Sequence, residues 1–298
     1  MRMIVSFVFI ALVAVPFSFS EPESIDAGRG PVPLHVPTNY DADTPAPLVV
    51  LLHGYTSSGK QQEKYMKFGA LVDTYGYLLA TPDGTREDSE RNHRFWNASD
   101  ACCNFHGSEV DDSAYIRGII DLVKAEYSVD PKRVYLIGHS NGGFMSYRMA
   151  YDHSDTIAAI ASLAGATRAD SERPPPPSAV HVLQIHGTED KTIAYEGGEI
   201  DQTGAYPSAE QSVEQWAAYN GCEVETIASA KNIDLDKRIE GDETTITKYT
   251  SRCRPGGAVE LWTIEGGGHI PSLSDTFSKH VIEWLLAHPK STSGDATD

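Results

Sequence analysis

Residues 133–148, RVYLIGHSNGGFMSYR, decide the fold. Val134, Tyr135, Leu136 and Ile137 form a short apolar, β-prone run between Pro131 and Gly138, the pattern of a buried strand. Gly138-His139-Ser140-Asn141-Gly142 then matches G-x-S-x-G, and Phe144, Met145 and Met149 recur beyond it at helical spacing. Three fixed positions in five occur often by chance. The strand before and the helix after convert the match into a strand–turn–helix elbow. In such a turn a serine is held in a strained backbone conformation with its Oγ clear of the sheet edge. Side chains two residues before and two after it would collide, hence the glycines. The helix points its positive end at the serine, where it favours developing negative charge.

Outward from the elbow, composition sets the limits. The chain has 298 residues, 40% hydrophobic and 22% charged, enough for one large α/β domain. A net charge of −18 argues against nucleic-acid or anionic-membrane partners. Residues 1–20 read as a signal peptide: Arg2 supplies the positive start, residues 3–17 are apolar and uncharged, and Ser18-Phe19-Ser20 offers small residues before a cut. The apolar run is short of the roughly 20 residues that a spanning helix needs. The expectation is an exported chain, extracellular or periplasmic, with no stable membrane insertion after cleavage. The catalytic domain is expected over 21–290 and a disordered tail over 291–298.

Strands are expected at 33–37, 48–52, 77–80, 134–137, 157–163, 180–185, 244–250 and 259–264. Helices are expected at 60–74, 109–127, 208–219 and 273–287, besides the one that follows Ser140. Their alternation predicts a doubly wound, mostly parallel sheet with helices on both faces. The 48–52 run, Leu-Val-Val-Leu-Leu, has the continuous apolar character of a central strand. Residues 85–107 lack periodicity and carry Trp96, Asn97, Cys102, Cys103, Phe105 and His106; a loop this long within a compact domain is usually functional.

A serine hydroxyl needs a base to take its proton, and the base needs an acid to orient it. In doubly wound hydrolases the order is Ser, Asp or Glu, His. Ser140, Asp190 and His269 occur in that order. Asp190 follows a buried-type strand, where catalytic groups collect in open α/β sheets. His269 follows Gly266-Gly267-Gly268, a loop free to take turns that other residues resist. Glu189 competes with Asp190 as the acid, and His186 with His269 as the base. The oxyanion requires two fixed N–H donors: that of Asn141, directly after the nucleophile, and that of Tyr55 in the loop His53-Gly54-Tyr55.

These residues carry a resemblance. LLHGYTSSG, RFWNASDACC followed by VDDSAYI, IGHSNGG, IHGTEDKTIAY, WAAYNGC and GGGHIPS stand in order from Leu51 to Ser272. In this the chain resembles the secreted esterases that include polyhydroxybutyrate depolymerases and feruloyl esterases. The resemblance implies an α/β-hydrolase fold, no cofactor, and ester hydrolysis through an acyl-enzyme, and it supports Ser140, Asp190 and His269 as the triad. It places Trp96 near the active site, either as a wall of the substrate pocket or as an aromatic packing the long loop down. It favours a disulfide between Cys222 and Cys253, which leaves Cys102 and Cys103 as a vicinal bridge or as thiols. Depolymerases that act on solid polyester often carry an added binding domain. The expected substrates are therefore small-molecule, oligomeric or polysaccharide-linked esters. Polyhydroxyalkanoate-type oligomers are the first reading, and feruloyl or acetyl-xylan esters the second. A non-catalytic carbohydrate-binding relative is the third, against which the intact triad counts.

Two further motifs are weighed. Asn97-Ala98-Ser99 is a glycosylation sequon. Asn232, Asp234, Asp236 and Glu243 echo positions 1, 3, 5 and 12 of a calcium loop, but position 6 is Lys237 rather than glycine. No metal ligand set is expected, and the segment reads as a solvated acidic loop.

Overall fold

A computed structural model describes residues 22–169, 172–200, 203–223, 226–229, 232–249 and 251–291. The expected signal peptide lies outside the described residues, as does the tail beyond Ser291. The core is one sheet of ten strands. In chain order these are β1 (Glu23–Asp26), β2 (Pro31–His35), β3 (Ala46–Leu52), β4 (Leu78–Ala80), β5 (Val129–His139), β6 (Ala159–Leu163), β7 (His181–Gly187), β8 (Thr226–Ala228), β9 (Thr244–Tyr249) and β10 (Val259–Ile264). Their spatial order is β1-β2-β4-β3-β5-β6-β7-β10-β9-β8. The six central strands from β4 to β10 run parallel, and the outer pairs on both sides are antiparallel.

The central strands are apolar because both faces are covered. All seven residues of β3 are buried. Leu48, Val50 and Leu52 face one core and Val49 and Leu51 the other. The first core is closed by α2 (Asp112–Glu126), α3 (Asn141–Asp152) and α4 (Ala209–Tyr219), through Ile116, Ile120, Met145, Met149, Val213 and Trp216. The second is closed by α1 (Gly59–Met66) and α5 (Phe277–Leu286), through Met66, Phe277, Val281 and Leu285. Each fully buried side chain of this kind contributes about 1.5–3 kcal/mol.

Most expected elements are found within two to four residues of their predicted ends. The predicted helix 60–74 is broken. It stops at Lys67, whose φ of 57° is left-handed, and resumes as a short 3-10 turn and a single helical turn, Val72–Tyr75. The last helix begins at Phe277, four residues later than expected. Residues 85–107 are not wholly irregular. Thr85–Arg86 pairs antiparallel with Arg94–Phe95 as a two-stranded ribbon. The edge strands β1 and β8 have no counterpart in the sequence reading.

The chain turns from β3 outward to β4, then crosses to β5 on the other flank of β3. The loops after β3 and β5 therefore meet at a topological switch point. Open α/β sheets bind ligands there, outside the carboxyl ends of the strands.

Candidate active site

Ser140 sits between β5 and α3 with φ 55° and ψ −121°, a conformation that L-residues resist. Its neighbours explain the glycines. A Cβ on Gly138 would stand 2.0 Å from the Gly142 carbonyl oxygen, and one on Gly142 would stand 2.3 Å from that of Leu52. The elbow thus rests backbone to backbone on the end of β3. Gly54 packs against it less tightly: a Cβ there would lie 3.4 Å from that of Ser140. The strain is held by main-chain bonds. Ser140 N–H donates to Leu163 O at 2.8 Å, and Gly143 N–H donates to Ser140 O at 2.7 Å.

The structure brings the three expected triad residues together. His269 Nε2 lies 3.0 Å from Ser140 Oγ, and His269 Nδ1 lies 2.7 Å from Asp190 Oδ2. With Nδ1–H donating to the carboxylate, Nε2 is left as the acceptor for the serine proton. Asp190 Oδ1 accepts from the amides of Thr192 and Ile193 at 2.8 and 2.9 Å. Burial opposes ionisation of Asp190. The hydrogen bonds from His186, His269 and Thr192 outweigh it and hold the carboxyl well below the ordinary range. The side chain of Asp190 has no exposed surface. Glu189, its competitor, points into solvent and contributes only its amide, to Gly267 O. The two loops meet at glycine, since a Cβ on Gly187 would stand 2.2 Å from Gly267 O.

His186 is not placed as a base. Its Nδ1 accepts from the Gln184 amide at 3.0 Å, which puts the proton on Nε2. That Nε2–H donates to Ile193 O at 2.8 Å and lies 3.3 Å from Asp190 Oδ2. It is a second donor behind the acid. The sequence carried no signal for this beyond the spacing His186-x-x-x-Asp190.

The loop of His269 is strapped at several points. The imidazole of His139 donates to His269 O at 2.9 Å, Arg238 donates to Ile270 O at 3.0 Å, and Tyr65 donates to Pro271 O at 2.8 Å. Burial and the neighbouring His269 push the pKa of His139 down to about 4, so it stays neutral. The acidic loop supplies another strap: Asp236 Oδ1 accepts from the amides of Ser272 and Arg238, both at 3.1 Å. Glu243 Oε1 accepts from the amides of Leu235 and Asp236, both at 2.9 Å. These carboxylates are therefore largely committed to backbone rather than solvated as expected.

The Asn141 amide follows the serine directly, and that of Tyr55 follows Gly54, which packs against Ser140. Among the described residues neither donates to an intramolecular acceptor, as an oxyanion hole requires. Trp96 organises both loops. Its backbone N–H donates to Asn141 Oδ1 at 2.6 Å, its carbonyl accepts from Asn141 Nδ2 at 2.9 Å, and its indole Nε1–H donates to His53 O at 3.0 Å. The ring has no exposed surface. The reading of Trp96 as a pocket wall is corrected on that ground: the indole is enclosed beneath the loops of His53 and Asn141, where a substrate cannot touch it. The side chain of Tyr55 is also held, its hydroxyl donating to the buried Glu87 at 2.8 Å. Burial and that carboxylate push the Tyr55 pKa up to about 12.

The long loop is pinned by Asp112. Asp112 accepts from Asn97 N–H at 2.7 Å and Thr85 Oγ1 at 2.9 Å, and it pairs with Arg29. Asp111 is the residue that caps α2. Asn97 is part of the same structure. Its Nδ2 donates to Ser108 O and Val110 O at 3.2 and 2.9 Å, which leaves the sequon amide occupied. Cys102 and Cys103 are bonded to each other beneath Asn141, whose Nδ2 lies 3.7 Å from Cys102 Sγ. Cys222 and Cys253 form the second bridge.

Comparison with known proteins fits this geometry. Residues 38–206 match the family model described as Phospholipase/Carboxylesterase. Feruloyl esterase B of Piromyces equi is 28% identical over 240 residues, covering 78% of this chain and 41% of that one. Poly(3-hydroxyalkanoate) depolymerase C of Paucimonas lemoignei is 33% identical over 136 residues, covering 44% and 30%. Among solved structures, acetyl xylan esterase from Aspergillus awamori superposes with a TM-score of 0.61 at 17% identity, covering 90% of this chain and 99% of that one. The chain spans 64%, 41% and 35% of the length of three curated relatives that it matches over most of its own length, a putative esterase, a feruloyl esterase and an acetylxylan esterase/xylanase. With more than half of its length matched by the family model and a mostly parallel, helix-flanked sheet beneath a strained nucleophile elbow, the chain belongs to the phospholipase/carboxylesterase family of α/β hydrolases.

Proposed function

We propose that the protein is an exported serine carboxylesterase that works through an acyl-enzyme. One observation carries this reading: His269 bridges Ser140 Oγ and the ionised, buried Asp190 at 3.0 and 2.7 Å. His269 takes the serine proton as Oγ attacks the ester carbonyl. The amides of Tyr55 and Asn141 receive the oxyanion, aided by the positive end of α3. His269 then returns the proton to the leaving alkoxide, and water repeats the sequence to release the acid. Export is supported by the apolar N-terminal stretch and the two disulfides. Among the described residues no helix is long and apolar enough to cross a membrane.

For the substrate we favour an ester of a plant-type polysaccharide, feruloyl or acetyl. A relative named feruloyl esterase matches 78% of the chain, against 44% for the relative named as a depolymerase. This reverses the order of preference drawn from the sequence; hydroxyalkanoate oligomers become the second reading. The test is a panel of chromogenic acetate, feruloyl oligosaccharide, acetylated xylan and hydroxybutyrate oligomer, run with wild type and Ser140→Ala. Turnover that disappears in the variant is expected. Absence of turnover by folded wild type on all four would overturn the esterase reading in favour of a binding protein.

A further inference from the structure

A cleft of about 630 Å³ opens beside the oxyanion loop, and its charge is opposite to that of the protein. Its walls carry four cations, Lys60, Arg86, Arg91 and Arg94, against one carboxylate, Asp83, in a chain of net charge −18. The cleft adjoins the loop of Tyr55. Thr56 and Ser57, the two residues after Tyr55, form part of its lining, and Thr56 N–H donates to Arg94 O at 2.9 Å. The wall of arginines is thus bonded to the chain one residue beyond an oxyanion donor.

Two of the four cations are bonded into the fold and two are not. Arg86 and Arg94 stand directly opposite each other in the two-stranded ribbon, an arrangement that destabilises a strand pair when the charges are alike. Arg94 is balanced by Asp83 at 2.8 Å, whereas Arg86 donates only to a backbone carbonyl, that of Asn92, at 2.9 Å. Lys60 and Arg91 are exposed, and among the described residues neither has a carboxylate partner. Helix α1 begins at the same place with no acidic residue in its first turn, so its positive end is only partly offset, by Asp83 accepting from Gly59 N–H. A cluster of cations with one internal counter-charge, in an otherwise acidic protein, is complementary to an anion.

We propose that this cleft binds a carboxylate carried by the substrate beyond its scissile ester. The proposal rests on the esterase reading of Ser140 and deepens it. Guanidinium and ammonium groups recognise a carboxylate from either of two sources: a uronic acid on a polysaccharide, or the free acid end of a hydroxyalkanoate oligomer.

The test compares matched ester pairs on the full chain and on Lys60→Gln/Arg91→Gln, a double variant that removes no hydrogen bond of the fold. One pair is a feruloylated xylo-oligosaccharide with and without a glucuronic acid substituent. The other is a hydroxybutyrate trimer as free acid and as methyl ester. The expected result in wild type is a KM about 3- to 10-fold lower for the carboxylated member of one pair, the pair itself identifying the source. That advantage should vanish in the double variant and at about 0.5 M NaCl, with turnover of a neutral acetate ester unchanged. No preference for the carboxylated member in either pair would overturn the proposal, as would a preference that survives in the double variant. Calorimetric titration of Ser140→Ala with the glucuronic acid oligosaccharide and with the trimer acid decides the question without catalysis. Loss of binding on adding Lys60→Gln/Arg91→Gln supports the cleft, and absence of binding to either ligand rejects it. Failure of the esterase reading would show separately, as no turnover of the neutral ester by wild type.

Discussion

Replacing Trp96 with phenylalanine separates a structural from a substrate-contacting role for this ring. The substitution deletes the indole N–H that meets His53 O at 3.0 Å while keeping an aromatic at the site. A buried carbonyl left without its donor costs about 1–3 kcal/mol, and the missing part of the ring adds roughly 1 kcal/mol for incomplete packing. A loss of about 2–4 kcal/mol lowers the melting temperature by roughly 5–10 °C in a domain of this size. The main-chain bonds of Trp96 to the Asn141 side chain remain, so the oxyanion donors shift rather than disappear. The loss in kcat/KM is therefore expected near tenfold, below the roughly 10²–10³ for deleting a donor outright. Since the ring has no exposed surface, the loss should be the same for acetate and feruloyl esters. Thermal denaturation and kinetics on both esters measure the two effects. An unchanged melting temperature, or a loss several-fold greater for feruloyl than for acetate, would refute the argument and return the indole to the substrate.

Further outcomes follow from the same geometry. Ser140→Ala should fold with an unchanged melting curve and lose activity by several orders of magnitude, as measured against a chromogenic acetate. Asp190→Asn should lower kcat by about 10⁴, whereas the exposed Glu189→Gln should leave it within a factor of two. Burial raises the Glu63 pKa to about 7, above its unfolded value, so the native state binds more protons between these limits and stability falls as pH rises through that window. Glu63→Gln keeps an acceptor for Gly69 N–H and should raise the melting temperature at pH 8 relative to wild type, with little gain at pH 4. Replacing Cys222 and Cys253 by serine opens a loop with a sequence separation of 31 and should cost about 3–4 kcal/mol in urea unfolding.

The parts of this molecule visible in the sequence are those where one physical demand dominates. A strand buried on both faces must be apolar throughout, which makes β3 readable from Leu-Val-Val-Leu-Leu. A nucleophile elbow must have glycines flanking the serine, because the turn leaves no room for a Cβ. The edge strands β1 and β8 were not legible, since strands of four and three residues are too short to show a period. The break at Lys67 was hidden because a left-handed lysine carries no marker in its neighbours. At the site, chain order and loop type pointed to Ser140, Asp190 and His269. The roles of Asp112, Glu87 and His186 were not readable, because each acts through a partner far away in sequence or through a backbone atom. Trp96 illustrates the same limit from the other side. Proximity to the active site was legible, but whether the ring faces substrate or lies beneath the loops depends on three hydrogen bonds to Asn141 and His53.

The glycine contacts beneath the triad have a consequence for redesign. Gly138 against Gly142, Gly142 against Leu52, Gly165 against Gly143 and Gly187 against Gly267 are all approaches in which a methyl on the first residue would meet backbone of the second closer than 3.0 Å. The reactive constellation is thus set largely by main-chain contact among the elbow, the ends of β3 and β7 and the turns after β6 and β10, with Ser162 Oγ the one side chain wedged into these glycine contacts. The ribbon at residues 85–95 carries Arg86 and Arg91 on exposed positions and Arg94 half-buried, none of them among these contacts. Directed variation of the enzyme therefore has two unequal territories. One is a backbone-defined centre where almost any substitution is disabling. The other is a side-chain-defined rim where libraries can redirect substrate choice without disturbing the proton relay.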